Sequence, residues 1–232
     1  MFHLQWVSPK LELVVLGCCR QDSLSTVHNV SCIKNELSYP HYTSEMIQIV
    51  DYCLNNNLST EEAKETFRTP ILTNNIKWKP QYYSDIINSD IVILEIASRS
   101  TYKIENRYVH HILYDDPKFN GNTKEKVITG KLTNEEIHAD IIHLRELLKR
   151  PIIIVGHLVT EHEGKRYELL NCLREICKKE GIVFIDPIKE LRKRHSNLKS
   201  LFLQEHTLAH YSDIGHRCIL EVYKDVIDSM YL

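Results

Sequence analysis

The sequence has no apolar run long enough to span a bilayer, and its amino terminus lacks the features of a secretory signal peptide. Its formal net charge is −2, so it has no excess positive charge for binding nucleic acid or a membrane surface. The 7 cysteines are odd in number and show no paired spacing, which predicts reduced thiols and a cytoplasmic location. Internal repeats and low-complexity linkers are also absent. We therefore expect one domain over residues 1–232.

Strand and helix patterns alternate along the chain. Buried strands are predicted from four short, β-branched runs, at residues 13–16, 90–97, 152–155 and 182–185. Helices are predicted between and after them, at residues 43–57, 59–70, 133–150, 165–180 and from 212 onward. This alternation predicts an α/β fold, a single three-layer α/β/α domain with a doubly wound, mostly parallel sheet. Residues 101–131 interrupt the pattern and are predicted to form an irregular loop or small hairpin.

The turn after the first predicted strand carries reactive side chains. Gly17 ends the strand, where we expect a sharp turn, and Cys18, Cys19 and Arg20 follow it. Ligands bind at the carboxyl edge of such sheets, and a helix start there offers free N–H groups. A cysteine in this position is expected to have a lowered pKa. The turn therefore predicts a nucleophile and an anion cradle in one place.

Polar residues also follow the next two predicted strands of the sheet. Ser98 and Arg99 come after the strand at 90–97, and Gly156 and His157 come after the strand at 152–155. The carboxyl ends of parallel strands lie at one edge, so we expect these residues beside the first turn. With Arg20, they are candidates for binding an anion or an oxyanion.

A histidine near the other end of the chain is the candidate base. His210 precedes the last predicted helix, for which Ser212 is the predicted N-cap. An imidazole in that loop can take the proton of a thiol and later return it to a leaving group. The alternatives are that Cys19 is a small buried side chain and that His210 only forms a hydrogen bond across its loop.

Two motifs at the ends of the chain resemble a known family. Gly17-Cys18-Cys19-Arg20 and His210-Tyr-Ser-Asp-Ile-Gly215 are similar to the first and last blocks of the SGNH/GDSL hydrolase superfamily. The nearest likeness is to its Gly-x-Cys relatives, the GSCFA-type proteins and polysaccharide-biosynthesis acetyltransferases with a Gly-Asn-Cys-Gln turn. The resemblance implies that Cys19 is the nucleophile and His210 the base. It also implies an oxyanion hole of the Cys19 N–H with donors from the Ser98 and Gly156 turns.

The chain departs from this family pattern beside the histidine. The family usually has aspartate three residues before the histidine, where this chain has Thr207. The base therefore either lacks a carboxylate that orients it or uses Glu205, Asp186 or Asp213 instead. This departure weakens the case for fast ester hydrolysis more than the case for acyl transfer.

Ser23 is the alternative nucleophile. Gln21-Asp-Ser-Leu24 is similar to the letters Gly-Asp-Ser-Leu, but Ser23 lies six residues beyond Gly17. We favour Cys19, because a nucleophile of this type stands in the turn between strand and helix.

The resemblance and the arginines favour acyl transfer, most of all acetyl transfer from acetyl-CoA to a sugar or nucleotide-sugar acceptor in glycan biosynthesis. The first alternative is a carbohydrate or lipid esterase that uses the same residues. The second is an inactive SGNH-like binding domain. No metal is expected, because five histidines lack the helical spacing of a metalloenzyme and are interpreted as surface or incidental residues: His110, His111, His138, His143 and His162.

Overall fold

A computed structural model describes residues 10–37, 39–120, 124–160, 162–204 and 207–231. The strands in this part of the chain are β1 (Glu12–Leu16), β2 (Asn29–Val30), β3 (Ile91–Ile96), β4 (Ser100–Ile104), β5 (Arg107–Tyr108), β6 (Ile128–Lys131), β7 (Ile152–Gly156), β8 (Val183–Ile185), β9 (Phe202–Gln204) and β10 (Thr207–Tyr211). The helices are α1 (Ile33–Glu36), α2 (Thr43–Asn55), α3 (Thr60–Thr66), α4 (Arg68–Thr73), α5 (Pro80–Asn88), α6 (Ile112–Asp115), α7 (Pro117–Asn120), α8 (Asn134–Leu148), α9 (Lys165–Glu180), α10 (Pro187–Arg194) and α11 (Asp213–Met230).

Five strands form a parallel sheet in the order β2-β1-β3-β7-β8. The chain builds outward from β1 first on one side, to β2, and then on the other side, from β3 to β8. This is the 2-1-3-4-5 order of flavodoxin-like sheets, in which ligands bind where the direction of winding reverses. That position here is the carboxyl edge of β1 and β3.

Helices cover both faces of this sheet. Along β1, Leu13 and Val15 belong to the core cluster that includes residues of α10 and α11, while Val14 and Leu16 belong to the cluster on the other face, which includes residues of α2, α5, α8 and α9. The alternation follows from the two-residue period of a strand, and a strand covered on both faces is apolar throughout. The predicted three-layer α/β/α fold with a doubly wound parallel sheet is confirmed.

The helix ends agree with their sequence signals. Ser59 and Thr133 each form a capping box with the glutamate three residues later, and the Ser212 hydroxyl accepts from the Gly215 N–H. The helix predicted over residues 59–70 is divided into α3 and α4, because Phe67 takes an extended backbone conformation and is fully buried. No helix of the described residues is long and apolar enough to cross a membrane.

The segment at residues 101–131, which interrupts the alternation of strands and helices, is more regular than the sequence predicts. Instead of an irregular loop, β4, β5 and β6 form an antiparallel sheet in the order β5-β4-β6, with short helices α6 and α7 between β5 and β6. It has a small core of its own, made of Ile104, Val109, Leu113 and Val127. β4 and β5 form a hairpin, which is one of the two predicted alternatives, and its turn has Glu105 at φ 54°, where glycine is the usual sequence signal.

Candidate active site

The structure brings Cys19 and His210 together at the carboxyl edge of the sheet. Cys19 is the first residue of a 3₁₀ helix, Cys19–Thr26, which follows β1 after a two-residue turn. His210 lies in β10, which pairs antiparallel with β9, and not in the loop that the sequence predicts. The Cys19 Sγ is 3.3 Å from the His210 Nδ1, across a separation of 191 residues. This distance is suitable for proton transfer between thiol and imidazole.

The surroundings of Cys19 favour its thiolate form. A hydrogen bond from the neighbouring Cys18 thiol has the largest effect, and the contact with His210 adds to it. Burial opposes both, but the net result lowers the pKa of the Cys19 thiol to about 5. The pKa of Cys18 is raised, mainly because its thiol is the donor in that hydrogen bond. The first cysteine therefore stays protonated and the second is the candidate nucleophile.

A buried ion pair holds the turn that carries both cysteines. Glu95 on β3 is 2% exposed, and its carboxylate accepts the Cys18 N–H at 3.0 Å and the Arg20 Nε at 2.8 Å. Burial alone would raise the pKa of Glu95, but the Arg20 guanidinium and the Cys18 bonds lower it to about 2. Arg20 was predicted to bind an anionic ligand, and its guanidinium is instead engaged by Glu95.

Glu95 is the residue that the sequence interpretation missed. Its signal was present, since it is a single carboxylate in a strand of otherwise aliphatic residues, Ile91–Ile96. A charged residue in such a run needs a buried partner, and Arg20 directly follows the two cysteines.

Gly17 serves close packing and not an unusual backbone angle. The chain bends at Gly17, as expected, but its φ lies outside the left-handed region. A Cβ at this position would lie 3.0 Å from the Cβ of Glu95 and 2.8 Å from the Oε1 of Gln21. The missing side chain therefore lets β3 bring its carboxylate against the cysteine turn.

The backbone N–H of Cys19 is available as an oxyanion donor. It stands at the start of its helix and has no hydrogen-bond partner among the described residues. The N–H of Ser98, which the family resemblance offered as a second donor, is bound to the His41 carbonyl at 2.9 Å. Gly156 ends β7 under close packing, since a Cβ there would lie 2.3 Å from the Cδ1 of Leu170.

Ser23, the alternative nucleophile, lies within the 3₁₀ helix and is 8% exposed. Its hydroxyl has no hydrogen-bond partner in the described part of the chain, so no base is in place to activate it. The geometry therefore favours Cys19 over Ser23.

The carboxylate that would orient His210 is not identified. Asp186 is engaged elsewhere, since it caps α10 and pairs with Arg174 at 2.9 Å. Asp213 makes no hydrogen bond to His210 within the described ranges. Glu205 and the side chain of Thr207 lie outside what the structure describes.

A cleft of about 380 Å³ lies at the same edge of the sheet, beyond the ends of β3 and β7. Ser98, Arg99 and His157 from the sequence prediction line it. Three further cationic side chains also line the cleft, those of Lys131, Lys165 and Arg166. Burial lowers the pKa of His157 to about 4, and the nearby Arg20 charge adds to the effect. The cleft is therefore cationic through its arginines and lysines, not through this histidine.

Two histidines interpreted as surface residues are part of this region. His110 is 2% exposed, and its ring and that of His111 pack against His41, with centroids 5.3 and 4.4 Å from the His41 ring. The surface interpretation was wrong for His110, because the sheet formed by β4, β5 and β6 folds this segment back onto the loop before α2.

No family model matches the chain, and no curated protein matches it. Solved structures with a similar fold include an acetylxylan esterase from Geobacillus stearothermophilus, at 13% identity and a TM-score of 0.42 over 94% of both chains. Another is an α/β hydrolase from the metagenome of Lake Arreo, Spain, at 12% identity and a TM-score of 0.43 over 93% of this chain and 94% of the other. A lipolytic protein of the G-D-S-L family from Veillonella parvula has 12% identity and a TM-score of 0.36, over 91% and 97%.

Proposed function

We propose that the protein hydrolyses acyl esters with Cys19 as nucleophile and His210 as general acid and base. One observation carries the proposal, the 3.3 Å contact between the Cys19 Sγ and the His210 Nδ1 at the carboxyl edge of the sheet. The lowered pKa of Cys19 supports it, because the thiolate is the reactive form of cysteine.

The reaction has two steps. The Cys19 thiolate attacks the ester carbonyl carbon, the carbonyl oxygen takes the negative charge beside the Cys19 N–H, and the alkoxide leaves with a proton from His210. The neutral His210 then takes a proton from water, and the resulting hydroxide attacks the thioester. The thiolate leaves and the carboxylic acid loses its proton to solvent, which restores the starting state.

Solvent access favours hydrolysis over acyl transfer. His210 is exposed and Cys19 is half-buried, so water reaches the thioester without any movement of the chain. A transferase has to keep water away from its acyl intermediate. The esterase is therefore the first proposal, ahead of the acetyltransferase that the family resemblance favoured.

The test measures turnover of p-nitrophenyl acetate by the full chain. We expect Cys19→Ala and His210→Ala to lower kcat/KM by about 100-fold or more, and a single acetyl group to appear on Cys19 of His210→Ala by mass spectrometry. Ser23→Ala and Cys218→Ala are matched controls that keep wild-type turnover. Full activity in Cys19→Ala, or its loss in Ser23→Ala, would contradict the proposal.

Acetyl transfer from acetyl-CoA to a sugar or nucleotide-sugar hydroxyl is the second candidate. The observation that favours it is the cationic lining of the cleft by Arg99, Lys131, Lys165 and Arg166, which suits the phosphates of coenzyme A. If it is correct, coenzyme A raises Tm, Arg166→Glu removes this effect, and a sugar acceptor receives acetyl groups faster than water does. Without a Tm shift and acetylated sugar, this candidate is abandoned.

A further inference from the structure

Three histidines from two distant segments meet at one side of the cleft. His41 precedes α2, and its carbonyl accepts the N–H groups of Ala97 and Ser98 at 3.0 and 2.9 Å, just beyond β3. His110 and His111 precede α6, and the His110 N–H donates to the Thr66 carbonyl at 3.0 Å. One ring nitrogen from each of the three histidines lies within 4.8 Å of the others. The backbone bonds on both segments hold this arrangement.

The outer hydrogen bonds of the cluster follow the pattern of metal-binding histidines. The His111 Nδ1 is 2.8 Å from the Asp115 carboxylate, and the His110 Nε2 is 3.1 Å from the Tyr39 carbonyl. Ligand histidines usually donate their second nitrogen to a carboxylate or a backbone carbonyl, which fixes the ring and the tautomer. The ring of His41 has no hydrogen-bond partner in the described part of the chain.

Burial favours the neutral form of two of the three rings. Burial lowers the pKa of His41 to about 3, and the adjacent His111 adds to this effect. Burial lowers the pKa of His110 as well, to well below its ordinary value. A metal ion binds the neutral form of imidazole, so no proton has to be displaced from these two rings at neutral pH.

We propose that His41, His110 and His111 bind one divalent transition-metal ion such as Zn²⁺. Three imidazoles suit zinc and similar ions, and three protein ligands leave a fourth position open. That position faces the cleft, because His41 and His111 both line it. The site shares no residue with the Cys19–His210 pair, and it does not depend on the proposed esterase activity.

Binding requires a small closure of the cluster. Zinc–nitrogen bonds of about 2.0–2.1 Å place tetrahedral ligand atoms about 3.3 Å apart. The ring nitrogens of the three histidines lie within 4.8 Å of one another, which is a looser arrangement. Both ring nitrogens of His110 have partners, since its Nδ1 accepts the Ile112 N–H at 3.2 Å. We expect the metal to replace this bond, which is the longer of the two, and to leave the Tyr39 contact as the outer partner.

The experiment titrates metal into the full chain after treatment with a chelator. Isothermal titration with Zn²⁺ should show one bound equivalent, and Co²⁺ should give the absorption of a four-coordinate site without thiolate charge-transfer bands. His41→Ala should abolish this binding. Asp115→Asn should weaken it by about 10- to 100-fold, as loss of an outer partner does. His143→Ala, a change at an exposed histidine of α8, should bind as the wild type does.

Each remaining outcome overturns the proposal. Unchanged affinity in His41→Ala and Asp115→Asn places the ion elsewhere, and thiolate bands in the cobalt spectrum assign it to cysteines. If Zn²⁺ does not bind stoichiometrically, the three histidines are only packed aromatic rings. If His41→Ala fails to fold, the metal affinity of Asp115→Asn alone tests the proposal. Asp115 is exposed and its change removes one hydrogen bond, so this variant is expected to fold. The Zn²⁺-dependent rise in Tm is read in the same samples and must follow the affinities.

Discussion

Alkylation of Cys19 by iodoacetamide as a function of pH tests the electrostatics of the candidate active site directly. The hydrogen bond from Cys18 and the contact with His210 lower the pKa of Cys19 to about 5. The alkylation rate should therefore rise around pH 5 and become constant above it. For an ordinary cysteine, with a pKa of about 8.5, the alkylation rate instead rises about tenfold per pH unit up to that pH. The rate is read as the modified fraction of the Cys19 peptide by mass spectrometry.

The expected ratio of the Cys19 alkylation rate to that of an ordinary cysteine depends strongly on pH. At about pH 6 a thiol of pKa about 5 is about 90% ionised, against about 0.3% for an ordinary thiol, a ratio of about 300. Its thiolate is less nucleophilic by about 40-fold, for a Brønsted coefficient of about 0.45 over about 3.5 pKa units. Cys19 should thus react about 8 times faster than a cysteine peptide at about pH 6, and at a similar rate at about pH 7. The test must be run in mildly acidic buffer.

Two variants separate the causes. Cys18→Ala should move the midpoint of the profile further upward than His210→Ala does, because the Cys18 hydrogen bond has the largest effect on Cys19. Cys218→Ala leaves the profile unchanged and serves as the control. If the wild-type rate keeps rising log-linearly to about pH 8, Cys19 is an ordinary thiol and the reasoning is refuted. If the midpoint is low but neither variant moves it, the assigned causes are wrong.

Three other predictions concern the scaffold and are measured by urea denaturation. Glu95→Gln should lower the free energy of unfolding by about 3–5 kcal/mol, because it removes the carboxylate that faces the buried Arg20 charge, and Arg20→Met with Glu95→Leu should cost less than the two single changes together. The folded pKa of Glu95, about 2, lies below its unfolded value, so this stabilisation is complete above about pH 4.3 and is lost as the pH falls toward 2. Thr133→Ala should lower the free energy of unfolding by about 1 kcal/mol, because α8 loses its N-cap. A free energy of unfolding equal to that of the wild type would contradict the capping geometry. Gly215→Ala should cost about 1–3 kcal/mol, because its Cβ would lie 2.0 Å from the Leu201 carbonyl oxygen, and a neutral result would refute that contact.

Local chemistry predicted much of the fold. The capping boxes at Ser59 and Thr133 and the N-cap at Ser212 place helix starts within one residue, because a cap is decided by residues three apart. The apolar strands and their alternation with helices gave the parallel sheet. The Cys19–His210 pairing was also predictable, because the carboxyl edge of such a sheet is where distant turns meet.

The remaining features depend on contacts that no local pattern contains. The pair of Arg20 with Glu95 requires the register of β1 beside β3, which is set by packing across 75 residues. The histidine cluster joins the segment before α2 to the segment before α6, and these are distant in sequence. His110 therefore looked like a surface residue, although tertiary structure buries it.

The Cys19 thiol and the His210 imidazole are 191 residues apart in sequence. During synthesis on the ribosome, Cys19 is made long before β10 exists, so a nascent chain carries a cysteine without its base. The chain entropy lost on closing so large a loop is recovered only when both ends dock. A chain halted before β10 would therefore have all five strands of the parallel sheet but no paired nucleophile, and the proposed acyl chemistry would begin only when β10 is in place.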